Sequence, residues 1–566
     1  MIPRHRWPSL TFLLLLTGLA AQQPAQQPAP SPERPRLVVL CSVDQLARWV
    51  FEQGRPHFAP DGGFRRLLDG GVDFAQCAYQ HACTETGPGH ATIGTGAPAA
   101  VHGIVRNEWW SPEDGGKVYC AHQEAPALPD LPEGKDRGPA RLLVPTFGDS
   151  LKAHVPGSKV ASVSWKDRSA ILMAGRSADV AAWFEAKTGN LVTNTVWVEQ
   201  TPPWIVEWNQ KRAIDGFHGW KWELMGPPEA YAGLVDDRPY EVPHQNGSNA
   251  RTLPQPVTGG KPEPEYGYYA QLYASPAGNT VVRLAAEAAV RGMELGRDAV
   301  PDLLCVSFSS TDSIGHQFGP DSVESRDALL RLDRELAEFL SFLDREVGAG
   351  KYALFLTADH GVGPTPEWAK QNGVDAGRGR LLGAARSAAE TALTRTFGAP
   401  PTGKRWFAHV GESTGFFDRE VLASCRGERD EATMLREAGR IAAEAAASAR
   451  GLCAAFSTSE LLADGARGDP VREALLHAIC AQRAGDVQFV LKPYWLDGII
   501  PASHGTPHPY DREVVALAIG PRLPAGVAVA ARITPGFGVV LFSELLGIPR
   551  PAGAIDELPQ GVLGLR

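Results

Sequence analysis

Three continuous apolar runs, each leading into an acid, constrain this chain more than any other feature. Arg36-Leu-Val-Val-Leu-Cys-Ser-Val43 stops at Asp44. Asp302 to Phe308 leads into Ser309-Ser-Thr-Asp312, and Tyr352 to Thr357 runs into Ala358-Asp359-His360-Gly361. An uninterrupted apolar strand is what a sheet covered on both faces requires, and such sheets are mostly parallel. A fourth run, Lys159 to Trp165, ends in Lys166-Asp167-Arg168. Between the strands, Asn279 to Gly296 reads as a helix. Val323 to Val347 reads as a long amphipathic one, with Leu329, Leu330, Leu332, Leu336, Phe339, Leu340 and Leu343 on its apolar stripe. This alternation predicts an α/β fold built on a largely parallel central sheet flanked by helices. Ligands of such sheets collect outside the carboxyl ends of the strands, which is where these acids stand.

The remaining segments hang on that frame. Gly62 to Leu68 reads as a short helix, Val514 to Ile519 as a strand and Ile533 to Leu546 as a helix. Residues 180–270 hold Trp183, Trp197, Trp204, Trp208, Trp220 and Trp222 among many prolines and glycines. They lack βα alternation, and the expectation is an insertion lying over the site, its aromatics used for packing. Residues 365–500, with helix patterns at Glu428–Ala449 and Pro470–Ala484 and a strand at Val487–Lys492, read as a second insertion. The catalytic domain is expected over 37–566.

The start is Met1-Ile-Pro-Arg4-His-Arg6, then an apolar run to Ala21. A basic head, a short apolar stretch and small residues predict an export signal over 1–21. The run is shorter than the roughly 20 apolar residues a membrane span needs. Residues 22–36, rich in Gln, Pro and Ala, read as a disordered linker. The expected protein is exported across the inner membrane to the periplasm or beyond, with no stable membrane span and as a monomer. A net charge of −9 argues against a nucleic-acid binder. It does not exclude a small anionic substrate, because a few cations dominate one cleft. Of the eight cysteines none forms a CxxC pair, which argues against a structural zinc knuckle. Cys41 and Cys305, inside strand runs, are expected to be buried thiols.

Thr84-Glu85-Thr86-Gly87-Pro88-Gly89-His90-Ala91-Thr92 is the other organising stretch. Proline suits a first helical turn, and glycine lets a ligand approach the backbone. Thr86 is thus expected at the N-cap, its hydroxyl beside free N–H groups and the positive end of the helix dipole, a ready phosphate site. Asp44, Asp312, His316, Asp359, His360 and His504 add three carboxylates and three imidazoles. Asp312 and His316 stand at i and i+4 and share one helix face. Mixed Asp/His sets favour zinc over magnesium, and six ligands suit two ions. Paired metals can hold the attacking and leaving oxygens of an in-line displacement, and coordination activates a threonine hydroxyl. Asn107, Lys166 and Arg168 can supply donors to the developing phosphoryl charge.

With these motifs together (Ser-Val-Asp44-Gln, Thr86-Gly-Pro-Gly-His-Ala, His-Gly-Ile-Val-Arg-Asn107, Lys166-Asp-Arg168, Thr-Asp312-Ser-Ile-Gly-His316, Thr-Ala-Asp359-His360-Gly and Ser-His504-Gly), the chain resembles the alkaline phosphatase superfamily over Leu37 to about Gly547. Within it, the likeness is to the PafA-type alkaline phosphatases, which are related to the nucleotide pyrophosphatase/phosphodiesterases. The resemblance implies an alkaline-phosphatase-like sandwich with cap insertions and a phosphothreonine formed on Thr86. It also implies two Zn2+, one on Asp312, His316 and His504, the other on Asp44, Asp359, His360 and the Thr86 oxygen. Asn107, Lys166 and Arg168 match the residues that contact the non-bridging phosphoryl oxygens. Diesterase relatives generally lack the Lys-x-Arg pair, so small phosphate monoesters are the expected substrates. A diesterase on the same scaffold, or a catalytically silent metal-binding relative, are the alternatives. Glu85 is a departure, since an acid beside a phosphate is unhelpful unless it points away. His508 is read as a loop residue and not as a ligand.

Overall fold

The computed structural model describes Met1, residues 34–242 and residues 251–564. The export signal read over 1–21 and the linker over 22–36 fall almost wholly outside the described residues. The central sheet has nine strands: β1 (Leu37–Val43), β2 (Val72–Cys77), β3 (Val160–Ser164), β4 (Val180–Phe184), β5 (Leu191–Val192), β6 (Asp302–Phe308), β7 (Tyr352–Thr357), β8 (Ala516–Ile519) and β9 (Val527–Ile533). Their order is β9-β2-β8-β7-β1-β6-β3-β4-β5. The run from β7 through β1, β6 and β3 to β4 is parallel throughout. β8 runs antiparallel to both β7 and β2, and β5 antiparallel to β4. Every residue of β1, β6 and β7 is buried, which explains the unbroken apolar runs. Leu40 of β1 is in register with Cys305 of β6 and Phe355 of β7.

Helices cover the sheet. α1 (Thr86–Thr95), α2 (Asp167–Ala174), α3 (Pro276–Gly292), α4 (Ser310–Phe318), α5 (Val323–Leu343) and α6 (Phe537–Leu546) are the ones that position or support the site. All ten residues of α1 are buried, so this helix packs on every side. Gly94 makes that possible: a Cβ there would meet the Leu172 carbonyl of α2 at 2.7 Å. Ser322 caps α5, accepting from the Ser325 N–H. Its Leu336, Phe339, Leu340 and Leu343 lie wholly in the core, as the stripe required.

Several expectations are corrected. Residues 180–192 are not part of an insertion, because β4 and β5 complete one edge of the central sheet. The helix expected over Pro470–Ala484 ends at Leu476. The carbonyls of Ala474 and His477 accept from the N–H groups of Ala82 and Ala100 instead of continuing the helical ladder. The segment read as a helix from Ile533 opens with the last residue of β9, and α6 begins at Phe537. β9 is a half-exposed edge strand of small residues, a weak pattern in sequence. The tryptophans of 180–270 do pack: Trp183, Trp204, Trp208 and Trp222 are buried. Residues 377–497 hold a four-stranded sheet in the order Phe407–Gly411, Thr414–Phe417, Val487–Leu491, Leu452–Ser457. Helices Leu381–Phe397 and Glu431–Ala447 share a separate apolar core with that sheet. All eight cysteines are free thiols, and Cys41 and Cys305 are buried. No helix among the described residues is long and apolar enough to cross a membrane.

Phe355 lies at the centre of this packing, fully buried, with ring centroids 6.3 Å from Phe74 and 6.0 Å from Phe537. Phe355→Ala is expected to cost about 3–5 kcal/mol, because the rigid sheet cannot collapse into the cavity. Thermal unfolding followed by circular dichroism reads this as a lower midpoint, and an unchanged midpoint contradicts the core assignment.

Candidate active site

The three acids of the apolar runs converge. Asp44 directly follows β1, and its N–H donates to the Phe308 carbonyl at the end of β6 at 2.9 Å. Asp359 lies just beyond β7, and Asp312 occupies the first turn of α4, which follows β6. Asp44 and Asp359 are 0% exposed and Asp312 is 6% exposed. Lys166, in the N-cap of α2, drives its ammonium between them, with Nζ 2.6 Å from Asp44 Oδ2 and 2.7 Å from Asp312 Oδ2. The same Nζ lies 3.3 Å from Thr86 Oγ1, and Arg168 Nη2 lies 3.4 Å from that oxygen. Thr86 is the first helical residue of α1, with Glu85 in the N-cap, one position earlier than expected. Its hydroxyl is still at the helix N-terminus.

Like charges this close cannot all ionise freely. Burial pushes the Asp44 carboxyl up to about 6, with Lys166 opposing and Asp312 adding to the rise. Burial, then the charge of Asp44, holds Asp359 well above the usual carboxylate range. Asp312 goes the other way: burial disfavours its charge, but His316, Lys166 and His504 overcome that and hold it well below.

The imidazoles are oriented by the backbone. His316 Nδ1 is 2.8 Å from the Ala502 carbonyl, His360 Nδ1 is 3.0 Å from that of Gly361, and His504 Nδ1 is 2.6 Å from that of Thr84. A carbonyl only accepts, so each Nδ1 carries a proton and each Nε2 is turned to the acids; burial disfavours the charged form of His316, but Asp312 outweighs it and raises its pKa. His316 Nε2 stands 3.1 Å from Asp312 Oδ1 and His504 Nε2 3.6 Å from it. His360 Nε2 is 3.4 Å from Asp44 Oδ1 and 3.5 Å from Asp359 Oδ2. Burial lowers the pKa of His504 to about 4 and that of His360 well below its usual value, which keeps both rings in the neutral form a metal needs.

These residues fit metal ions. Asp44 Oδ1, Asp359 Oδ2 and His360 Nε2 are buried atoms without a hydrogen-bond partner, and they face one another. Asp44, Asp359 and His360 form one group with donor atoms within 4.8 Å of each other, and Asp312, His360 and His504 form a second. His360 is thus near both groups. Neutral lone pairs facing carboxylate oxygens need a cation between them, and mixed N/O donors at this spacing suit zinc.

The loop that carries Asn107 explains Glu85. The Glu85 carboxylate turns away from Thr86, accepting from Arg106 Nη1 and from the Asn107 N–H, both at 2.8 Å. Asn107 Oδ1 in turn accepts from the Gly87 N–H at 2.7 Å, which leaves its amide N–H2 free to donate. Asp167 likewise points away from Thr86. Its Oδ2 takes Arg137 Nε at 2.6 Å, and its Oδ1 takes the Tyr119 hydroxyl, bracing the start of α2 beside Arg168. Sequence reading passed over Gln45. Its side chain donates to Asp312 Oδ1 at 2.7 Å, and its N–H to Asp359 Oδ1 at 3.1 Å. It adopts φ 67°, a conformation that nothing in a glutamine advertises. His508 is tied to the Leu491 carbonyl at 2.8 Å and takes no part in the cluster.

A cavity of about 520 Å³ opens beside Asn107, Arg168, His316 and His504. Tyr494 and Trp495 of the 377–497 body line it, whereas no described residue of 180–270 does. The cover expected from the first insertion therefore comes from the second.

Comparison with known proteins agrees with this geometry. The family model for type I phosphodiesterase / nucleotide pyrophosphatase matches residues 38–377. Alkaline phosphatase PhoV of Synechococcus elongatus is 30% identical over 97% of this chain and 98% of its own length. Alkaline phosphatase PafA of Elizabethkingia meningoseptica is 29% identical over the whole of both chains. A crystal structure of wild-type PafA superposes with a TM-score of 0.85 at 28% identity, covering 94% of this chain and all of that one. The class is a phosphatase enzyme of the alkaline phosphatase superfamily. Within it, the chain belongs to the type I phosphodiesterase / nucleotide pyrophosphatase family.

Two variants test the scaffold. Glu85→Ala strands a buried guanidinium and should cost about 3–5 kcal/mol. The midpoint of unfolding is expected to fall and KM for a phosphate ester to rise; parent-like values for both contradict the anchoring role. A Cβ at position 89 would meet the Asp359 carbonyl oxygen at 1.9 Å. Gly89→Ala is therefore expected to displace Asp359 and lower the bound metal per chain, measured by mass spectrometry.

Proposed function

We propose that this phosphatase is an exported, two-zinc phosphate monoester hydrolase that works through Thr86. One observation carries the reading: Lys166 Nζ and Arg168 Nη2 lie 3.3 and 3.4 Å from Thr86 Oγ1, beside two convergent groups of metal donors. Asp44, Asp359 and His360 would hold one ion with the Thr86 oxygen, and Asp312, His316 and His504 the other. When bound, the ions supply a lowered pKa for hydroxyl and water and neutralise charge on phosphoryl oxygens.

The chain's own groups do the rest. Thr86 Oγ gives up its proton to solvent and attacks phosphorus, the bond to the ester oxygen breaks, and the alcohol leaves with a proton drawn from solvent. Water then cleaves the Thr86–phosphate ester, releasing inorganic phosphate and restoring the hydroxyl. Arg168 offers a planar fork and Lys166 a point charge to the non-bridging oxygens, and the free Asn107 amide adds a third donor. A monoester carries one more negative charge than a diester, so this pair of cations stabilises the monoester transition state selectively. One solved PafA structure carries serine for a threonine and alanine for an asparagine, a lysine and an arginine. These are the four residue types that meet around Thr86. The basic and apolar start of the sequence supports export.

Thr86→Ala is expected to abolish turnover while bound zinc stays near the parent level; unchanged activity removes Thr86 from the mechanism. Arg168→Ala should lower kcat/KM on p-nitrophenyl phosphate by about 10²–10³-fold and affect bis-p-nitrophenyl phosphate far less. Equal losses on both, or a parent enzyme that prefers the diester, would replace the monoesterase reading with a diesterase one.

A further inference from the structure

The cavity beside His316 and His504 is larger than a phosphoryl group requires. Its volume of about 520 Å³ falls within the roughly 300–1,000 Å³ of pockets that enclose an entire small molecule. Asn107 and Arg168 answer to the phosphoryl oxygens, which leaves a different lining unexplained: Pro364, Pro366, Leu382 and Leu496, together with Tyr494 and Tyr510.

Tyr494 is the unusual member. It adopts φ 63°, a left-handed conformation that a bulky side chain rarely enters and keeps only where its surroundings enforce it. Two hydrogen bonds do so: its N–H donates to the Tyr510 hydroxyl at 3.1 Å, and its carbonyl accepts from the Gly377 N–H at 3.3 Å. The two tyrosine rings have centroids 5.2 Å apart and planes tilted by 37°, and His508 backs Tyr510 at 5.5 Å. Gly363, also in the lining, packs directly on Tyr510, since a Cβ there would meet the ring at 2.9 Å. Backbone strain of this kind gathers at ligand clamps. What this clamp supplies is aromatic surface, which favours a flat ring in offset or edge-on contact.

Charge narrows the choice further. Glu108, Glu412 and Asp497 line the same cavity, and among its described lining residues Arg106 and Arg168 are the only arginines or lysines. Arg106 is paired with Glu85, and Arg168 faces Thr86. Lys117, outside the lining, reaches Glu412 at 3.4 Å and Glu108 at 3.6 Å, one cation for two acids. A second anionic group on the substrate would meet acids, with no cation left to receive it.

We propose that Tyr494 and Tyr510 form a leaving-group subsite that selects phosphate monoesters of uncharged alcohols bearing an aromatic ring. The proposal rests on the monoesterase reading above and narrows its substrates. Tyr494 touches the departing alcohol and not the phosphorus.

The test assays the zinc-saturated full-length protein on ethyl, 2-phenylethyl, 2-cyclohexylethyl and 2-(4-carboxyphenyl)ethyl phosphates. All four release primary alcohols of similar leaving ability, so their kcat/KM ratios report contacts to the rest of the alcohol. The 2-phenylethyl ester should exceed the ethyl ester by about tenfold or more. The cyclohexyl ester should fall between them, and the added carboxylate should remove most of the gain. Tyr494→Gly removes the ring and relieves the backbone, so it should melt near the parent temperature while the phenylethyl-to-ethyl ratio drops close to unity. Tyr494→Phe should keep the parent ratio. Should the glycine variant not fold, Tyr494→Asn takes its place, because asparagine tolerates this conformation. Equal kcat/KM for the phenylethyl and ethyl esters in the parent, a cyclohexyl ester as good as the phenyl one, no penalty for the carboxylate, or a parent ratio in the ring-less variant each overturns the proposal. A parent that turns over only diesters overturns the monoesterase reading instead. The subsite is then judged by the Ki of 2-phenylethylphosphonate against that of ethylphosphonate on the diester, where equal values overturn it and tighter binding of the ring, lost in Tyr494→Gly, sustains it.

Discussion

The structure turns on mutual repulsion among carboxylates that burial has stripped of water. β7, β1, β6 and β3 are consecutive neighbours in the sheet, and they deliver Asp359, Asp44, Asp312 and Lys166 in that same order. Adjacent strands lie about 4.8 Å apart. Parallel register therefore brings the acids close enough for one small cation to reach two of them. Lys166 does this for Asp44 and Asp312, at 2.6 and 2.7 Å. Unpaired, such charges would oppose folding by several kcal/mol each. The split in proton affinity follows from the same arrangement: around Asp312 the charges of His316, Lys166 and His504 outweigh burial, whereas burial, and then the charge of Asp44, raise Asp359.

A second layer of order comes from backbone carbonyls. Each of the three imidazoles is held by Nδ1, and the carbonyls belong to Ala502, Gly361 and Thr84. The last of these ties residue 504 to the approach to α1, more than four hundred positions earlier in the chain. Thr84 reinforces it, since its hydroxyl donates to the Thr506 carbonyl at 3.1 Å and accepts from the Gly505 N–H at 3.1 Å. The nucleophile helix and the last histidine are thus one hydrogen-bonded unit. Ring orientation, tautomer and the position of Thr86 are set together, which is the preorganisation that metal sites depend on.

The parts of this arrangement legible in sequence were those with a strong local cause. Wholly buried strands left unbroken apolar runs, and the acids at their ends stood out against them. The long stripe of α5 was equally plain. What stayed hidden depended on distant partners. β9 lies at an exposed edge and mixes small residues, so neither period announced it. The helix at Pro470 stops because Ala82 and Ala100 claim its last carbonyls, a fact no window of local sequence contains. Gln45 sits in the left-handed region only because Asp312 and Asp359 hold its two ends. The cover of the cleft was assigned to the tryptophan-rich stretch, yet those rings face the core, and Tyr494 and Trp495 line the cleft instead.

The two cations of the Lys-x-Arg pair are unequal, and the difference bears on how the site distinguishes substrates. Lys166 carries a structural load, bonded to two carboxylates and only then within reach of Thr86. Arg168 contacts neither of those carboxylates. Its place is set from behind, where Asp167 takes Arg137 and Tyr119 and accepts the Arg168 N–H at 2.6 Å. Its guanidinium is left to face Thr86 Oγ1, while the neighbouring Glu85 spends its charge on Arg106 and the Asn107 backbone. The acid beside the reacting threonine and the acid between the two cations are in this way turned outward, and the positive groups are turned in. Charge selectivity in this cleft is built as much by where Glu85 and Asp167 do not point as by where Lys166 and Arg168 do.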